Sequence, residues 1–262
     1  MTEPLYTPDN CRPAYQLRWS LALFVTSPLP ASEDWIVPLK QSVESDNVRI
    51  LDVKQTSIRT WHFLLSTTPT IAPPTIVKSV KGRLQHLLQK THPKVFQRNF
   101  SLISIGDASR TAVENYVSEQ LEHHPAADRR MQEMLSQYQL SFPSVDLSKP
   151  RYSSHGQYLY NLHLVFVHES RMRESREAEL RTTREMIVKT ASKKEHVLSN
   201  VAILSDHVHL TVGCPVDHSP QIVALGYLNN LAYAHGMQRR YKFGYYAGTF
   251  GEYDMNAIRQ VS

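Results

Sequence analysis

The string Asp206-His207-Val208-His209 holds the residues best equipped for chemistry. On a strand, residues two apart point to the same face, so His207 and His209 would present their imidazoles side by side. Two imidazoles placed that way can share one divalent cation, and a third ligand would complete a usable site. A second pair lies in Tyr116-Val117-Ser118-Glu119-Gln120. At helical spacing, positions four apart stack on one face, so Tyr116 and Gln120 could approach one site together. A tyrosine can act as a covalent nucleophile, and a glutamine carbonyl can serve a hard metal. A basic and aromatic cluster, Arg239, Arg240, Tyr241, Lys242, Phe243, Tyr245 and Tyr246, could contact phosphates and stack on bases. Lys78, Lys81, Arg83 and Lys90 could give a helix a second backbone track.

The elements that must position these residues recur twice. YQLRWSLALFVT from Tyr15 suits a strand, and a helix is expected from about Glu33 to Val43 after the Pro30-Ala31-Ser32 turn signal. VRILDVK (48–54) and IRTWHFLLS (58–66) read as strands. Pro73-Pro74 opens a helix with Ile76, Val80, Leu84, Leu87 and Leu88 at helical spacing. FSLISIG (100–106) is another strand, and Ser109 caps a helix through TAVENYVSEQLEHH. The second half follows the same order. YLYNLHLVFVH (158–168) is a strand, SREAELRTTREMIVKTASKK a helix, and HVLSNVAILS and HVHLTVG strands. Ser219-Pro220 opens the next helix, with proline at its first position. GYYAGTFG (244–251) is the last strand, and Asp254 caps a final short helix.

Spacing supports a repeat. Tyr15 to His62 spans 47 positions and Tyr160 to His209 spans 49; His62 to Gly106 spans 44 and His209 to Gly251 spans 42. Each half reads as β-α-β-β-α-β plus a terminal helix. The expected fold is α+β, with two tandem ferredoxin-like (RRM-like) domains whose antiparallel sheets carry helices on one face. The boundaries fall at 1–120 and 158–262, with a helical and Pro/Ser-rich linker at 121–157.

The composition of the 262 residues narrows the function classes. A hydrophobic fraction of 41% with 20% charged residues is ordinary for a globular protein. Cys11 and Cys214 are the only cysteines, which excludes a disulfide scaffold and a cysteine-rich zinc site. No apolar run approaches the ~20 residues of a bilayer span, and the N-terminus lacks a signal-peptide layout. The chain is expected to be cytoplasmic, without a membrane partner. A net charge of +5 permits a polyanionic partner.

DHVHLTV resembles the His-hydrophobic-His (HUH) strand of single-tyrosine transposases, the insertion-sequence and REP-associated enzymes that act on single-stranded DNA. In that family a segment of the form G-[TS]-x-G-D-x-S precedes a helix carrying Y-[IV]-x-x-Q. SIGDASRTAVENYVSEQ (104–120) is similar and places Tyr116 at the nucleophile position and Gln120 at the third metal-ligand position. The halves depart from the pattern in opposite ways. The first half reads Thr60-Trp61-His62 where two histidines are expected, and the second places Val261 at the nucleophile position. The resemblance therefore implies a tandem pseudo-dimer with one hybrid site, in which Tyr116 serves His207 and His209. It further implies Mg²⁺ or Mn²⁺ held by His207, His209 and Gln120, and a 5′-phosphotyrosine intermediate. The implied partner is single-stranded DNA with hairpins, bound by a pseudo-dimeric monomer that could associate further. Lys81, Arg83, Arg239, Arg240, Lys242 and Tyr245 are the expected DNA contacts. The alternatives are a domesticated hairpin-binding protein that no longer cuts, or an accessory subunit of a DNA-processing complex.

Overall fold

The computed structural model describes residues 3–169 and 173–252. The first strands are β1 (Arg12–Gln16) and β2 (Arg18–Val25), followed by a 3-10 turn (Ser32–Asp34) and α1 (Ile36–Glu44). Next come β3 (Val48–Ser57), β4 (Thr60–Thr67), α2 (Pro73–Leu88) and β5 (Phe96–Ile105). The middle of the chain forms α3 (Arg110–Ser118), α4 (Gln120–His123), α5 (Arg129–Ser136), β6 (Leu140–Ser141), β7 (Arg151–Tyr152) and β8 (Gly156–Leu159). It ends with β9 (Asn161–Val167), α6 (Glu177–Lys193), β10 (Val197–Ile203), β11 (His207–Gly213), α7 (Pro220–Ala234) and β12 (Gly244–Phe250).

These strands build two six-stranded sheets, β3-β4-β2-β5-β8-β7 and β1-β12-β9-β11-β10-β6. The antiparallel centres, β2 to β5 and β9 to β12, share one strand order. Each sheet also receives a parallel strand from the other half of the chain. β1 runs beside β12 with Tyr15 opposite Ala247, and β8 runs beside β5 with Leu102 opposite Tyr158. Both exchanged strands immediately precede the first central strand of their own half.

The seam between the sheets is held by a reciprocal pair of hydroxyls. Ser104 Oγ donates to the Phe250 carbonyl at 2.7 Å and accepts from the Asn161 N–H at 3.0 Å. Thr249 Oγ1 donates to the Ile105 carbonyl at 2.8 Å and accepts from the Arg18 N–H at 2.7 Å. Gly106 and Gly251 flank this contact. A side chain on the first would run into the Thr249 carbonyl, and one on the second into that of Ser104. Glycine is required at both for close backbone approach.

Alternation along β11 separates core from site. Val208, Leu210 and Val212 are wholly buried in the core, as is Ile187 of α6, and Leu228 and Leu231 of α7. His207 and His209 point to the opposite face, where α3 packs across β10 and β11.

Several boundaries differ from expectation. The first helix begins at Ile36, after the 3-10 turn. The strand expected from 158 to 168 divides at Tyr160, because β8 belongs to one sheet and β9 to the other. Ser109 Oγ caps α3 by accepting from the Ala112 N–H, but the helix breaks at Glu119 and resumes as α4. The stretch between the halves contributes α5 and short strands to both sheets. Asp254 and Val261 lie outside the described residues. Among the described residues no helix is long and apolar enough to cross a membrane.

Candidate active site

The tyrosine helix α3 follows β5 of the first sheet but is anchored on the second. The Arg110 N–H donates to the Gly251 carbonyl at 2.6 Å, and the Arg110 guanidinium pairs with Glu252 at 3.1 Å and with Glu114 at 2.8 Å. Val117 is buried in a small cluster with Ala202 and Leu204. Asn200 Nδ2 donates to the Glu114 carbonyl at 3.5 Å. With the buried side of α3 fixed in this way, Tyr116 stays half-exposed and lies over the histidines.

The Tyr116 and His209 ring centroids are 5.9 Å apart, edge to face, and those of His207 and His209 are 4.9 Å apart. His207 Nδ1 lies 2.6 Å from Asp206 Oδ1, so this nitrogen faces the carboxylate and Nε2 points away from it. His209 Nδ1 lies 3.0 Å from Nε2 of His163 on β9. Burial, followed by the neighbouring His163, His207 and His124, pushes His209 down to about 2. Burial alone pushes His163 down to about 4. Both rings are therefore neutral at physiological pH, the form that can ligate a cation.

Gln120 is wholly buried at the turn between α3 and α4. Its Nε2 donates to the Tyr116 carbonyl at 3.0 Å, while Oε1 has no hydrogen-bond partner among the described residues. A buried amide oxygen left without a donor is costly unless something else satisfies it. Among the described residues no three His, Cys, Asp or Glu side chains converge to hold an ion. His207, His209 and Gln120 could supply two imidazoles and an amide oxygen, donors of a kind that suits a divalent cation which also binds substrate oxygens.

The model of the IS200-like transposase family matches residues 38–120 and 156–260. The chain belongs to this family. No curated protein matches it. Among solved structures, this IS200-like chain is similar to a REP-associated tyrosine transposase bound to a REP hairpin, at 12% identity and a TM-score of 0.33. That match covers 38% of this chain and 61% of the other. A putative transposase from Deinococcus radiodurans is similar at 16% identity and a TM-score of 0.33, covering 41% of this chain and 92% of that one.

The expected DNA contacts of the IS200-like chain divide between surface and interior. Lys81 lines an open groove between α2 and the segment leading into β5, together with Lys78, Lys90, Lys94 and Arg98, and among the described residues no carboxylate lines it. Its Nζ donates to the Gln97 and Arg98 carbonyls at 2.5 and 3.0 Å. Lys242 is exposed, and Arg239 stacks on Phe243 while pairing with Glu169 at 2.8 Å. Three of the set are engaged internally. Arg83 forms a bidentate pair with Asp46, 2.6 Å on each arm. Arg240 is buried between Glu174 at 2.8 Å and Glu179 at 2.9 Å, and Tyr245 is buried in the core. Arg240 and Tyr245 therefore have no surface to offer a nucleic acid. His163 was missed by the sequence reading, although it occupies the site-facing register of an alternating strand, between buried Leu162 and Leu164.

Proposed function

We propose that this IS200-like chain is a single-stranded DNA endonuclease and strand-transferase with one hybrid active site. In this reading 1–120 and 158–262 are tandem ferredoxin-like domains, joined through 121–157 as a pseudo-dimer. The observation that carries it is the 5.9 Å approach of Tyr116, from the first half of the sequence, to His209 in the second. Tyr116 Oη attacks the phosphorus and forms a 5′-phosphotyrosine as the bond to the 3′-oxygen breaks. The phenol loses its proton and the departing 3′-oxygen gains one. Attack by another 3′-hydroxyl reverses the step and rejoins strands without an external energy source.

Nε2 of His207, Nε2 of His209 and Oε1 of Gln120 would hold Mg²⁺ or Mn²⁺, which supplies Lewis-acid polarisation of the phosphate when bound. Asp206 fixes the His207 ring from behind, and Val117 holds α3 down on β10 so that Tyr116 stays over the histidines. The groove along α2, lined by Lys78, Lys81, Lys90, Lys94 and Arg98, is suited to the phosphates of a single strand or a hairpin stem. The cytoplasm is the compartment proposed for this activity.

The test is incubation of purified protein with labelled single-stranded oligonucleotides and Mn²⁺, followed by SDS electrophoresis. An SDS-resistant adduct is expected. Tyr116→Phe should abolish it while leaving DNA binding nearly intact, and His207→Ala/His209→Ala should remove metal-dependent cleavage. An adduct that persists in Tyr116→Phe would refute the nucleophile. A mobility shift without any adduct would favour a DNA-binding protein that does not cut.

A further inference from the structure

We infer that His163 is a positioning residue that selects the proton arrangement of His209 needed for ligation; this rests on the proposed metal site. The two site histidines are held alike from behind. His207 has its Nδ1 against Asp206 Oδ1 at 2.6 Å, and His209 has its Nδ1 against His163 Nε2 at 3.0 Å. Asp206 is the sequence neighbour of His207. His163 comes from the adjacent strand, where the register sets Thr211 opposite it and His209 opposite Val165. The two imidazoles lie nearly parallel, with centroids 5.2 Å apart and planes 25° apart.

A hydrogen bond between two neutral imidazoles contains one proton. If it sits on His209 Nδ1, then Nε2 of His209 keeps its lone pair and can ligate. If it sits on His163 Nε2, His209 must carry its own proton on Nε2 and cannot ligate. A site that uses His209 Nε2 thus requires His163 to accept, with its own proton on Nδ1. A carboxylate behind His207 accepts by default, whereas an imidazole accepts only in this one tautomer. His163 also packs edge-on against Tyr246 and Tyr116, with centroids 5.7 and 6.1 Å away, which limits rotation of its ring.

Three forms of the full chain test this: unmutated, His163→Leu and His163→Gln. Glutamine offers an acceptor at similar reach, and leucine offers none. Long-range ¹H–¹⁵N NMR on the metal-free protein should show His209 protonated on Nδ1. His163→Leu should weaken Mn²⁺ binding, read by calorimetry, by about 10–100-fold, and His163→Gln should recover most of it. His209 protonated on Nε2 in the unmutated protein would overturn the inference, as would unchanged Mn²⁺ affinity in a folded His163→Leu chain. If His163→Leu fails to fold, the unmutated tautomer and the His163→Gln affinity decide. Failure of the metal site itself reads differently. Mn²⁺ binding would then be indifferent to His207→Ala/His209→Ala, while the metal-free tautomer still reports on His163.

Discussion

Thr249 Oγ1 accepts the Arg18 N–H and donates into a set of carbonyls that includes Ile105, at a position only 5% exposed. Thr249→Val keeps the shape and removes the hydroxyl, leaving the Arg18 N–H short of its partner. A loss of about 1–3 kcal/mol is expected, the usual cost of an unsatisfied buried group, read as a lower urea midpoint at unchanged m-value. The strand that sets His207 beside His209 and the helix that carries Tyr116 were legible in the sequence because residue type and spacing carry the signal. His207 and His209 sit two apart on a strand, and Tyr116 and Gln120 four apart at helical spacing. The nearness of His163 to His209 was not, since it depends on which strand lies beside β11. Arg240 was misjudged for the converse reason: Glu174 and Glu179, which bury it, lie more than sixty positions away.

Helix α6, with the segment just before it, is tied to α7 and the approach to β12 by one charged cluster. Glu174 pairs with Arg176 and Arg240 at 2.7 and 2.8 Å, and Glu179 pairs with Arg240 and His235 at 2.9 and 2.7 Å. Burial would raise the Glu174 pKa, but Arg176, through its hydrogen bonds and charge, and Arg240 together overcome it and hold the group down to about 2. A carboxylate lowered on folding contributes its full stability above its unfolded value, about 4.5, and loses it as the pH falls toward 2. Glu174→Gln should therefore destabilise the protein at pH 7, by up to about 3–5 kcal/mol for a broken buried pair. The difference between the two chains, read from urea midpoints, should shrink steadily between pH 4.5 and 2. Among the elements, the central strands and long helices were legible because alternation and the 3.6 period are local. The break at Tyr160 and the crossing of β1 and β8 were not, because parallel pairing between residues more than fifty apart leaves no local mark.

At the scale of the molecule, Tyr116, Gln120, His163, His207 and His209 all come from one chain. Cleavage per chain should therefore not vary with protein concentration. Mixing Tyr116→Phe with His207→Ala/His209→Ala should not restore cleavage, and a restored adduct in that mixture would show that sites assemble between chains. The exchange of β1 and β8 also bears on time. The Gly251 carbonyl that anchors the start of α3 is made 251 − 116 = 135 residues after Tyr116. At about 5–20 residues per second this is a wait of roughly 7–27 s on the ribosome. During that wait Tyr116 exists without the anchor that sets it over the histidines. Under the proposed function, an emerging chain is thus kept from acting on nucleic acid around it until β12 has been made.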